Sequence, residues 1–185
     1  MATLFSALKP CKEKFDYKKF EDIGFILPPV FRTFCDYFDL GTEYGDTFQK
    51  IIENDKLDGF GGFYFYHDDD HFQWDGFFSL EELYKQNLAL YNDFGRPVFH
   101  CEEFFEGKLF YLGMLSSTAY LYVGTFGEAA DKIYIHDTVE GLIQVADNIF
   151  ELIHRFEYKV QEYERKDTDK IYRNWNEDFW RVREK

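Results

Sequence analysis

The sequence predicts an α+β fold: a mainly antiparallel sheet together with helices, and a C-terminal helical extension. Three observations carry this. Short aromatic and β-branched runs are separated by glycine and polar turns, as in hairpins and meanders. Other segments repeat apolar residues three and four apart and open on proline or a serine cap, as amphipathic helices do. The composition, 45% hydrophobic with 23 Phe and 14 Tyr, supplies large rings for a core. The 185 residues suit one α+β domain over 1–156 and a helical arm over 157–185 packed on it or extending from it.

Residues 14–22 read as a short helix ending before Gly24. In "ILPPVFRTFCDYFDLG" (26–41), Pro28 and Pro29 occupy the helix start, where a missing N–H costs nothing. Val30, Phe31, Phe34, Tyr37 and Phe38 then follow at helical spacing, and Gly41 suits the stop. "GFGGF" (59–63) lacks the residues of a phosphate-binding loop and reads as a turn into a strand. "GFYFY" (62–66) and "FQW" (72–74) flank a polar tip, so a hairpin is expected. In "SLEELYKQNLALYNDFG" (79–95), Ser79 with Glu82 three residues on is a capping box. "KLFYLGML" (108–115), "AYLYVGTF" (119–126) and "KIYIHD" (132–137) form an antiparallel meander. Gly124, Gly127 and Gly141 stand at turn or bulge positions. Val145, Ile149, Leu152, Ile153, Phe156, Val160 and Tyr163 fit one long amphipathic helix. Ile171, Trp175, Phe179 and Val182 continue that spacing in the arm.

Charge is uneven. The net value is −14, and the window from Thr33 to Tyr84 holds 13 acids against 2 lysines. Residues 155–185 are nearly neutral, with 9 basic and 8 acidic residues. Such a body disfavours nucleic acid and favours a cationic protein partner. Nowhere do 18 apolar residues run together, so no membrane span is expected, and "MATLFSALKPCKEKF" lacks the apolar run of a signal peptide. Cys11, Cys35 and Cys101 form no C-x-x-C pair and are expected as reduced thiols of a cytoplasmic protein.

"YFYHDDDHFQW" (64–74) is the stretch richest in chemistry. His67 and His71 stand four apart around Asp68, Asp69 and Asp70, and both residue types ligate metals. Three readings are open: a metal or acid–base site, a solvated hairpin tip, or part of a partner surface. The aromatic flanks favour strands, and in a turn five adjacent polar side chains diverge rather than converge on one ion. His100 and Glu102 resemble half of a zinc deaminase motif whose P-C-x-x-C half is absent. Cys101 beside His100 is a poor nucleophile pair, since neighbours on a strand face opposite sides. No catalytic residue, metal or cofactor is therefore expected.

Four ordered segments resemble the SUKH superfamily, the Smi/Knr-type fold. They are "LPPVFRTFCDYFDLG", "FFSLEELYKQN", "YLYVGTFGEAADKIYIHD" and "VADNIFELIHRF", spanning roughly Ile26 to Phe156. The segment "RPVFHCEEFFEG" and the arm beyond Phe156 depart from the pattern. The resemblance implies an α+β domain with a twisted sheet flanked by helices, and a non-enzymatic role. Bacterial members are commonly immunity proteins that neutralise a cognate polymorphic toxin, and fungal relatives are regulatory scaffolds.

The expected function is thus an immunity protein that occludes a cationic toxin domain through an acidic face. Its candidate partner-binding residues are Asp68, Asp69, Asp70, Trp74 and Asp75. A regulatory scaffold of the same fold is the first alternative. A small metal-dependent hydrolase built on His67, Asp68 to Asp70 and His71 is the other.

Overall fold

A computed structural model describes residues 4–8, 10–11, 14–38, 61–68, 70–92, 108–115, 119–137 and 141–160. Helices α1 (Leu4–Ala7), α2 (Tyr17–Glu21) and α3 (Pro29–Tyr37) precede the hairpin β1 (Gly61–His67) and β2 (Asp70–Phe77). Helix α4 (Leu80–Asn92) leads to β3 (Phe110–Leu115), β4 (Ala119–Val123), β5 (Ile133–Asp137) and β6 (Gly141–Ala146). Helix α5 (Ile149–Arg155) and β7 (Glu157–Val160) follow. The strands form one antiparallel sheet in the order β6-β5-β4-β3-β2-β1-β7. The α+β class, the hairpin and the meander are all as the sequence predicts.

Local chemistry explains the helices. Pro28 and Pro29 open α3, and Pro28 offers no capping side chain. That role passes to Asp131, a hundred residues on, whose carboxylate accepts from the Phe31 amide at 2.9 Å. Asp131 has φ 69°, so the β4–β5 turn bends to deliver it. The same turn requires Gly124: a Cβ there would lie 2.0 Å from the Ala129 carbonyl oxygen. The capping box of α4 forms as expected, with the Glu82 amide donating to Ser79 Oγ at 3.3 Å.

Helix α4 is held to the sheet by Asn87, which is fully buried. Its amide donates to the carbonyls of Leu83 and Tyr111, and its oxygen accepts from the Tyr111 amide at 2.7 Å. The β3–β4 register shifts between Tyr111 and Gly113, and Asn87 occupies the backbone groups beside that irregularity.

The sheet curls. β6 and β1 stand five strand intervals apart, about 24 Å in a flat sheet. Arg155, at the end of α5, nevertheless donates to the carbonyl of Val145 in β6 and, at 2.8 Å, to that of Tyr66 in β1. Two acceptors on one guanidinium stand within about 10 Å of each other. Pairing of β7 with β1 reaches only Tyr64 opposite Glu157, which leaves the Tyr66 carbonyl to the arginine.

The C-terminal half corrects the sequence reading. Instead of one helix through Val145 to Tyr163, the chain runs strand, seven-residue helix, strand. Val145, Ile149, Leu152, Ile153 and Phe156 are all buried, so the face is right and the elements differ. A helix start lies within the predicted helix: Asn148 accepts from the Glu151 amide at 3.0 Å, and the Glu151 carboxylate accepts from the Asp147 amide. Residues 157–160 are β7 rather than the first turn of a helical arm, because they complete the free edge of β1. Tyr163, Ile171, Trp175, Phe179, Val182, Gly41 and Gly95 lie outside the described residues.

Two outcomes are expected. Ile153→Asp places an unpaired charge in the core and yields insoluble or unfolded protein; a cooperative wild-type melt would contradict this. Arg155→Ala breaks two charge-assisted hydrogen bonds and lowers stability by about 2–4 kcal/mol in denaturant titration. An unchanged midpoint would show that the curl does not depend on this side chain.

Candidate functional site

The β1–β2 hairpin pairs Phe65 with Phe72, Tyr66 with His71 and His67 with Asp70. Only positions 68 and 69 separate the paired ends, so the polar tip is tighter than a five-residue loop. Asp68 sits at φ 51°, a left-handed conformation that aspartate tolerates better than most residues and that two-residue hairpins require. Its side chain is 94% exposed, and His67 Nε2 lies 4.0 Å from its carboxylate. Asp69 lies outside the described residues, as do the side chains of Asp70, His71 and Asp75.

Strand alternation sorts the aromatic residues. Phe63, Phe65 and Phe72 are buried, and Phe65 stacks on Phe72 with ring centroids 5.1 Å apart. Trp74 is only 1% exposed. Its ring meets Phe77 at 4.4 Å and Phe156 at 5.3 Å, both edge to face. The expectation that Trp74 anchors a partner is therefore corrected: in this fold the ring is core and closes the space between β2 and the end of α5. Phe77 is buried as well, and half-buried Phe78 packs on Tyr111.

The exposed ring beside the tip is Tyr66, 48% exposed, which the sequence reading did not single out. Period-two alternation in "FYFYH" places Tyr66 on the face opposite the phenylalanines but does not give its exposure, since Tyr64 on the same face is buried.

The same register bears on the metal reading. Histidines four apart converge when they share one face of a helix, but 67 and 71 lie on opposite strands of a hairpin and in different cross-strand pairs. His100, Cys101 and Glu102 lie outside the described residues. No helix among the described residues is long and apolar enough to cross a membrane. What the tip offers is an exposed carboxylate and an accessible phenol on a hairpin whose root is fixed by packed rings and by Arg155.

The two aromatic residues should separate in a thermal melt. Trp74→Ala empties a packed core position and is expected to cost about 3–5 kcal/mol, lowering Tm by roughly 6–20 °C. Tyr66→Ala should change Tm by little, as surface truncations do. Equal losses would contradict the inward and outward assignment. No family model matches this chain, and no curated protein or solved structure matches it either.

Proposed function

We propose that the protein is a non-enzymatic binding protein, an immunity module of the SUKH type. It neutralises a cognate cationic toxin domain through an acidic face that includes the β1–β2 tip. The observation that carries the reading is Asp68, an aspartate held in a left-handed turn with its side chain 94% exposed. It heads a run of three aspartates within a window of net charge −11. Clustered acids raise the rate at which a cationic partner arrives, and an accessible ring such as Tyr66 supplies contact area once it docks.

The element order supports the same reading. A Leu-Pro helix, a hairpin, a capped helix, a meander with a glycine-bearing turn and a closing helix follow one another as the four quoted segments do. The proposal also assigns the protein to the cytoplasm, where a buried thiol such as Cys35, its pKa pushed up by burial, stays protonated and reduced.

The test begins with affinity capture of the partner from the native host, followed by surface-plasmon kinetics at two salt concentrations. Changing Asp68, Asp69 and Asp70 together to Asn should slow association at low salt and matter less at high salt. Tyr66→Ala should instead speed dissociation by about tenfold, the scale of one well-placed aromatic contact. An unchanged association rate at low salt would move the interface off this tip.

A further inference from the structure

The segment leading into α3 and the β4–β5 turn enclose an open groove of about 530 Å3. Residues 26–29, Thr125 and Ala130 line it with mostly apolar surface, and Arg32 is the one charged residue lining it among the described residues. Ile26 is 68% exposed although it lines the groove, and Phe126, next after Thr125, is 61% exposed. Large apolar side chains this open, grouped around a concavity, mark a binding surface more often than scattered ones do.

Arg32 would ordinarily be neutralised within its own helix. Asp36 stands four residues on, the spacing at which oppositely charged helical side chains meet. No ion pair between the two is found among the described residues; the Asp36 carboxylate is engaged by Tyr17. The Tyr17 hydroxyl donates to Asp36 at 2.6 Å, with the Arg32 carbonyl a second acceptor at 2.8 Å. The Tyr17 ring lies under the Arg32 guanidinium, 4.2 Å from centroid to carbon. Burial and the bond to Asp36 both push the Tyr17 pKa up, so the hydroxyl keeps the proton it donates.

The acids of the β4–β5 turn make no ion pair with the arginine either, among the described residues. Asp131 accepts from the Phe31 amide, and Glu128 does not line the groove. Among the described residues the guanidinium therefore stacks on a ring, fixed in place, with no carboxylate against it. Lys108, whose ammonium lies 5.7 Å from the Phe126 ring centroid, adds a second cation nearby. In a chain of net charge −14, this is a guanidinium without an ion-pair partner among the described residues, beside an apolar trough.

We propose that the groove docks a peptide segment presenting an apolar side chain next to a carboxylate. The apolar chain lies against residues 26–29 and Ala130, and the carboxylate takes the free N–H fork of Arg32. One carboxylate is specified rather than an acidic run, because each further negative charge held within a Debye length of a body of net charge −14 adds repulsion. The inference does not rest on the toxin reading, which concerns the hairpin tip.

The probes are fluorescein-labelled, end-capped hexapeptide pools with Leu, Ile or Phe at two positions and Glu fixed beside them. Matched pools carry Gln or Lys in place of Glu. Anisotropy titration of the full chain should show the Glu pool binding about tenfold tighter than the Gln pool, with the Lys pool weakest. Arg32→Gln should erase the Glu-over-Gln preference while its melt stays cooperative, and Arg32→Lys should retain part of it. Ile26→Ser should weaken the Glu and Gln pools alike. Equal binding of Glu and Gln pools, persistence of the preference in Arg32→Gln, or no binding of the Glu pool would each overturn the proposal. Hexanoate binding as tightly as the Glu pool would overturn the peptide assignment in favour of a small carboxylic acid.

Discussion

Arg155 holds the carbonyls of Val145 and Tyr66 on one guanidinium, although their strands stand five intervals apart in the sheet. The chain imposes the same closeness. β6 and β7 are the two outer strands, yet the segment joining them contains only α5, about 10 Å long, and three further residues. A flat seven-stranded sheet would separate those strands by about 29 Å. The sheet must curl around α5, and the helix must be apolar on its inner side. Ile149, Leu152 and Ile153 meet that demand, and the Arg155 guanidinium lies over the Phe65 ring where it reaches the strands.

Curling brings aromatic rings from distant segments into one seam. Phe156 leaves α5 and meets Phe65 of β1 and Trp74 of β2. Trp74 passes the contact to Phe77, and Phe77 to Phe34 of α3. Phe110 of β3 receives Phe20 and Phe25 edge to face, and Phe31 at a tilt. These contacts withdraw Trp74 from any interface, and they root a short hairpin whose tip carries Asp68. The tip is thus presented on a packed base, which would lower the ordering cost of the docking proposed for it.

Much of the architecture was legible because its signals are local. The prolines of α3, the Ser79–Glu82 box and the alternating strands each act within a few residues. The misreadings have separate causes. Val145, Ile149, Leu152, Ile153 and Phe156 satisfy helical spacing, but burial on one side of a strand, a helix and a second strand produces the same list. The Asn148 cap marked the break, and the apolar pattern outweighed it. Trp74 was misplaced because proximity to acids says nothing about which side of a strand a residue takes. Arg32 and Asp131 were not legible at all: one depends on Tyr17, fifteen residues away, and the other on Phe31, a hundred away. In the candidate site, the acid run was visible and the accessible ring, Tyr66, needed the strand register.

The central claim is that a partner meets this fold at the β1–β2 tip, and hydrogen exchange on the protein alone and with its captured partner tests it most directly. The account predicts slowed exchange for amides of 66–70 on binding, with the amides of α5 unchanged because they are already protected in the core. Unaltered exchange at 66–70, with new protection confined to residues 26–32 and 124–131, would contradict it and assign the partner to the Arg32 groove.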